Sequence, residues 1–280
     1  MLLQKQPLIS GPGRIGDLTF YLKDGQMIGR PRHNEMTGKR AENSRLQSLS
    51  IVNAANLWRS FPPGMQPKYQ MLGTCRSDYN MFLACARYTR IVPLTKHESR
   101  GGAAVVVPVC VSGGMLPPVL TWWDGTAQVT DIAIGTLAVD DETVVAELAQ
   151  AILAGNAGFA QGDELVCYHA RQCVTREGKP YADFSVGVLP VDTGDGRNLR
   201  AVVRGCDGFA NRGGRLGVGT PFEGGVAWVH RRTRRDGTLL LSPQHLLVHN
   251  PLIDTFDTEE HRREAILSYG PVRETVREED

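Results

Sequence analysis

From residue 91 to residue 248 the chain is a succession of short apolar segments, several alternating with period two, broken by turn residues, and this restricts it to a β-rich fold. The segments cover 103–111, 119–123, 128–134, 165–170, 181–189, 200–203, 226–230 and 239–248. Asp-Gly pairs at 24–25, 124–125, 195–196, 207–208 and 236–237 supply residues that tolerate positive φ, the chemistry of two-residue hairpin turns. The connections are therefore expected to be mostly antiparallel. About eight short strands punctuated in this way predict a β-sandwich.

Helical spacing interrupts the β pattern. Ala54, Leu57, Trp58 and Phe61 fall at i, i+3, i+4 and i+7 before Pro62-Pro63, and Tyr79, Phe82, Leu83 and Ala86 repeat the spacing behind Ser77, an expected N-cap. Val145, Leu148 and Ile152 give a third buried stripe after Asp140-Asp141. A fourth helix is expected over 258–269, between an Asp257-x-x-Glu260 capping signature and a Gly270-Pro271 stop. The charged segment 274–280 is expected to fray. The fold class is α+β, organised as an arm and ribbon (1–30), a helical segment packing on the body (31–92) and a sandwich region with an inserted and a terminal helix (93–280).

The amino-terminal arm poses a separate problem. Gly11-Pro12-Gly13-Arg14-Ile15-Gly16 reads as a flexible hinge that runs into a strand over 17–23 and the Asp24-Gly25 turn. Leu18, Phe20 and Leu22 point to one side of that strand and Thr19, Tyr21 and Lys23 to the other. A two-stranded ribbon is marginal in water, so this apolar row needs a partner. The earlier segment with Leu2, Leu3, Leu8 and Ile9 is the alternative donated strand, with the ribbon as its base. The segment 103–111 is apolar on both faces, and its Pro108 lacks a ladder donor, which places it at an edge or bulge. Val105, Val107, Pro108 and Val109 are read as an acceptor edge for such a donor.

Composition removes several function classes. With 31 basic and 30 acidic residues the formal charge is +1, so no global field recruits nucleic acid, an anionic membrane or an acidic substrate. The 31 glycines and 16 prolines exceed the usual share of roughly 12% and imply many turns. Six cysteines, scattered through regular segments, suit small buried thiols better than a disulfide framework. No apolar run reaches the ~18 residues of a membrane span, and the start of the chain has neither an apolar h-region nor a cysteine for lipid. No ordinary export signal is expected.

The local motifs lead to no chemistry. Residues 11–16 match G-x-G-x-x-G, with Glu35 downstream, but a strand follows where a dinucleotide site needs a helix. The run from Arg212 to Gly219 has no Gly-Lys-Ser/Thr ending and reads as a long surface loop. Cys167, His169 and Cys173, and further on His245 and His249, lack C-x-x-C and H-E-x-x-H spacing, so no metal is expected. Arg231, Arg232, Arg234 and Arg235 cluster at an expected hairpin tip without interleaved aromatics, which favours a solvated tip or an acidic neighbour over nucleic acid. One of Trp122 and Trp123 is expected in the core, the other open to sugar stacking. No nucleophile elbow or Ser/His/Asp set is present, and the carboxylate pairs sit at helix starts. No enzyme, cofactor or small-molecule substrate is expected.

The arm, Lys39-Arg40-Ala41-Glu42 running to Leu46, Tyr79-Asn80-Met81-Phe82 and Val111-Ser112-Gly113-Gly114-Met115-Leu116-Pro117 together resemble a domain family of unknown function widespread in Bacteroidota. Its members similarly open with a Gly-rich leader and a ribbon and typically lack evident catalytic residues. The resemblance implies an Ig-like body and a likeness to pilus subunits in which an amino-terminal strand completes a neighbour's sandwich. The expectation is therefore a structural protomer of a helical, pilus-like extracellular or cell-surface filament, with copies of itself as partners. A phage tail or injection-particle protein is the alternative, and a carbohydrate-binding module or enzyme comes third.

Overall fold

The computed structural model describes residues 13–15, 18–23, 25–31, 38–70, 73, 75, 77–86, 89, 92, 94–176, 178–203, 209–218 and 223–249. Leu2, Leu3, Leu8, Ile9, Cys206, the Asp-Gly pair at 207–208, the helix expected over 258–269 and the segment 274–280 lie outside them. The chain divides into two compact units, Met1–Ser44 and Arg45–Asp280.

The first unit is built on a three-stranded antiparallel sheet, β1 (Gly13–Ile15), β2 (Leu18–Lys23) and β3 (Gln26–Pro31). Gly25, at φ 79°, lies in the predicted turn between β2 and β3, while Asp24 lies outside the described residues. The expected hinge over 11–16 is corrected for its described part, Gly11, Pro12 and Gly16 lying outside the described residues. Gly13–Ile15 folds back on β2, pairing Ile15 with Leu18 and Gly13 with Phe20, so β2 is the middle strand with ladder partners on both sides.

Helix α1 (Gly38–Ser60) carries the chain across the division and ends before Pro62-Pro63. After β4 (Lys68–Tyr69), α2 (Asp78–Ala86) starts where Ser77 Oγ accepts the Asn80 N–H at 3.2 Å. A short α3 (Lys96–Arg100), which the apolar pattern did not announce, is nucleated by a Thr95/Glu98 capping box. The chain then passes through an extended segment into β5 (Cys110–Gly113), β6 (Thr121–Trp123) and β7 (Gln128–Ala133).

Helix α4 (Val145–Gly155) buries Val145, Leu148 and Ile152 as expected. It is followed by the long hairpin of β8 (Glu164–Val174) and β9 (Pro180–Pro190). The strand expected over 200–203 is instead α5 (Leu199–Val202). Asn198 decides it, because its side chain accepts the N–H groups of Arg200 and Ala201 and starts a helical turn. The Gly-rich run read as a long loop is in part a hairpin, β10 (Phe209–Arg212) and β11 (Arg215–Val218), closed by Gly213-Gly214 at φ 63° and 86°. The last stretch is β12 (Gly224–Thr233), β13 (Leu239–Leu241), β14 (Gln244–His245) and β15 (Leu247–His249). The single strand expected over 239–248 is thus broken into three around Pro243 and Leu246.

The fold is α+β with a sandwich body, and apart from the short β4–β5 contact its sheets pair antiparallel. A central sheet runs β13-β12-β8-β9, with β15 also on β12, and faces a second sheet ordered β10-β11-β7-β6. Leu165, Cys167, Leu189, Val226 and Trp228 on one face of the central sheet share a core with Ile132, Leu216 and α4. Trp228 Nε1 donates to Gln128 Oε1 at 3.0 Å, and Gln128 Nε2 donates to the Val226 carbonyl, tying the sheets together.

The opposite face of the central sheet is covered as well. Val166, Tyr168, Ala170, Phe184, Ala227 and Val229 pack with Leu57, Phe61 and Phe82, the Phe61 and Phe184 rings lying 4.0 Å apart. Burial on both faces is why β8 reads apolar at five of the six positions 165–170 rather than at alternate ones.

Candidate functional site

The ribbon presents one apolar face. The β2–β3 register sets Leu22 opposite Met27 and Phe20 opposite Gly29. The Phe20 ring lies over Gly29, where a Cβ would meet its Cε1 at 2.9 Å. Leu18 is 44% exposed, Leu22 54% and Met27 39%, while Phe20 is half-buried. On the other face Tyr21 is also exposed. The structure therefore places the predicted donor residues Leu18, Phe20 and Leu22 on one surface, and adds Met27, which the sequence reading did not include.

The predicted acceptor edge has a different fate. Residues 103–109 form no strand, and Val105, Val107 and Val109 are buried in the core. Pro108 alone of the four is exposed. Side-chain amides replace strand neighbours: Asn53 Nδ2 donates to the Val105 carbonyl and its Oδ1 accepts the Val105 N–H, both at 2.8 Å. Gln172 Oε1 accepts the Val106 N–H at 2.8 Å, and Asn56 Nδ2 donates to the carbonyls of Ser99 and Ala103. The apolar run is thus an internal segment with much of its backbone hydrogen-bonded within the chain, and the reading of it as an open edge is corrected. The signal for this was Asn53 and Asn56 on the buried side of α1 among Leu49, Ala54 and Leu57. Asparagine is a poor helix former, and a buried one needs partners.

The arginine cluster is also partly spoken for. Arg231 pairs with Glu164, while Arg232 grips Asp163 through Nε and Nη2, both at 2.7 Å. Asp163 is only 2% exposed and also accepts from His230 Nε2 at 2.7 Å and the Ala160 N–H at 2.8 Å. Arg234 and Arg235 remain to line an open groove of about 560 Å³ with Gln161, Asp163 and Asp236. Neither tryptophan of the 122–123 pair lines it.

This cluster works as a clamp. An ionised Asp163 requires His230 to carry its proton on Nε2, and the ring is stacked on Phe159 at 4.2 Å. Burial pulls His230 below its ordinary value near 6.5 despite the opposing carboxylate. Burial raises Asp163, but its hydrogen bonds from Arg232, Ala160 and His230 outweigh that and hold it below the usual carboxylate range. Both folded groups therefore bind protons less readily than the unfolded chain, so stability rises with pH through their titrations. Unfolding free energy is expected to fall as pH drops below about 6.5, from His230, and again below about 4, from Asp163. Urea titrations of wild type and His230→Gln between pH 7 and pH 5 check this; equal pH slopes for the two proteins contradict it.

The remaining candidates are dispersed. Trp122 is 39% exposed with the Arg215 guanidinium 5.7 Å from its ring, and Trp123 is half-buried and stacked on His249 at 4.3 Å, so neither is the expected core residue. Alternation along an edge strand at the sandwich margin leaves both rings partly outside. Cys75, Cys85, Cys110, Cys167 and Cys173 form no disulfide, and burial together with the neighbouring Cys85 pushes Cys110 up to about 12, which keeps it unreactive. Among the described residues no group of His, Cys, Asp and Glu has a metal-holding arrangement. Nor is any described helix long and apolar enough to cross a membrane. No protein-family model, curated protein or solved structure matches the chain.

Proposed function

We propose that the chain is a non-enzymatic structural subunit of a helical, pilus-like extracellular filament, in which the amino-terminal ribbon of each copy is buried by the next. The observation that carries this reading is the exposed apolar face of Leu18, Leu22 and Met27 beside Phe20. Full burial of such side chains is favourable by about 1.5–3 kcal/mol each. Association costs about 4–15 kcal/mol, so the face alone is marginal and backbone pairing has to add to it. Because β2 already has two ladder neighbours, the ribbon joins as a preformed sheet, through its face and an outer strand, rather than by insertion of β2 alone. A head-to-tail junction of this kind does not close on itself unless its rotation makes a ring, and repetition gives a fibre.

Negative-stain microscopy of the full chain beside a variant lacking residues 1–31 tests the proposal. Fibres are expected from the full chain and none from the variant. Monodisperse particles from both at high concentration would sink it.

A further inference from the structure

Resting on that reading, we propose that the surface receiving the ribbon of another copy is the outer edge of β9, paired antiparallel to β3 with Asp183 opposite Arg30. β9 ends the central sheet and has 11 residues, all in register with β8 and without a bulge. Its first carbonyl, Pro180, accepts the Ala104 N–H, and the Tyr181 carbonyl accepts from Gln172. Among the described residues β8 is the one strand paired with β9, and no strand lies on its other side. Natural edges of this length carry lysine, internal proline or a bulge against stray pairing. This one has prolines only at its ends and one charge, Asp183. Val186 and Val188 beside the edge are only partly buried against the core.

The ribbon offers the complement. β3 is an outer strand with six residues, and its one charged residue is Arg30. Setting Arg30 opposite Asp183 in an antiparallel pair places Gly29 opposite Phe184 and Met27 opposite Val186. Charge and facing then agree. The ribbon's apolar face, Phe20, Leu22 and Met27, falls on the same side as Phe184 and Val186, the side already facing the helix-covered core. A one-residue slip would turn that face to the opposite side of the sheet. The apolar row Leu22, Met27, Val186, Tyr168, Ala227 would then run unbroken across the junction, each step but the new one being an existing register pair.

Two variants, each defective at one end of the junction, test this in the full chain. Val186→Lys keeps the ribbon and charges the edge; Leu22→Asp keeps the edge and charges the ribbon. Each alone is expected to stay monomeric with a wild-type thermal midpoint, and an equimolar mixture is expected to form particles of twice the monomer mass that grow no further. Wild-type assembly by Val186→Lys would overturn β9 as the acceptor while leaving the ribbon's role standing. A monomeric wild type would overturn both. Should Val186→Lys unfold, the exposed Asp183→Lys replaces it. Mixing Asp183→Lys with Arg30→Glu is then expected to restore the assembly that each weakens, and failure to restore it overturns the register.

Discussion

Asp163→Ala is expected to lower the unfolding free energy by about 3–5 kcal/mol, the range for removing one partner of a buried ion pair. The carboxylate holds four donor contacts from Arg232, His230 and the Ala160 N–H, and joins the 158–163 loop to the end of β12. Without it the His230 Nε2–H is left buried under Phe159, and Arg232 keeps only its contact to the Gly158 carbonyl. Arg232 is about one-third exposed and can turn to water, which sets the loss nearer the lower end of that range. Asp163→Asn keeps an acceptor and is expected to recover part of it. Chemical denaturation with an unchanged m-value measures the loss. A change below about 1 kcal/mol would mean that the clamp carries little of the fold.

Asn53→Ala is the second large effect, expected at about 2–5 kcal/mol. The substitution strips partners from both the N–H and the carbonyl of Val105, and each buried unsatisfied group costs about 1–3 kcal/mol. Alanine is the better helix former by a few tenths of a kcal/mol, which offsets only a small part. Hydrogen exchange should report the same event locally, through faster exchange of the Val105 amide relative to β8 amides. Wild-type stability for Asn53→Ala would contradict the account of 103–109 as a segment held by side-chain amides.

The contrast between 103–109 and β8 shows how much of the fold was readable beforehand. Both are apolar runs, and β8, β9 and β12 contain their expected ranges while β7 ends one residue short of its own, because strand neighbours exist on both sides or one. For 103–109 the middle is held by the side chains of Asn53, Asn56 and Gln172, with backbone bonds to Glu98, Pro180 and Leu246 at the ends, and a period-two pattern is the same whichever group supplies the hydrogen bonds. Asn198 turned 200–203 into helix by local capping that competes with β propensity over so few residues. Gly213-Gly214 was a readable hairpin signal, and its strands β10 and β11 follow from it.

The ribbon face was legible for Leu18, Phe20 and Leu22 from alternation alone, while Met27 required the β2–β3 register. Asp163, His230 and Arg232 lie 67 and 69 residues apart in pairs and meet only because β8 and β12 are in register at Leu165 and His230. That β9 ends its sheet among the described residues depends on strand order, which alternation does not encode.

The claim that the ribbon is an association surface is tested most directly by sedimentation velocity of the full chain across a wide concentration range, beside Leu22→Asp. Wild type is expected to sediment as species that grow with concentration beyond the 30.7 kDa monomer, and the variant to remain at 30.7 kDa throughout. A wild type that stays at 30.7 kDa over the whole range contradicts the account.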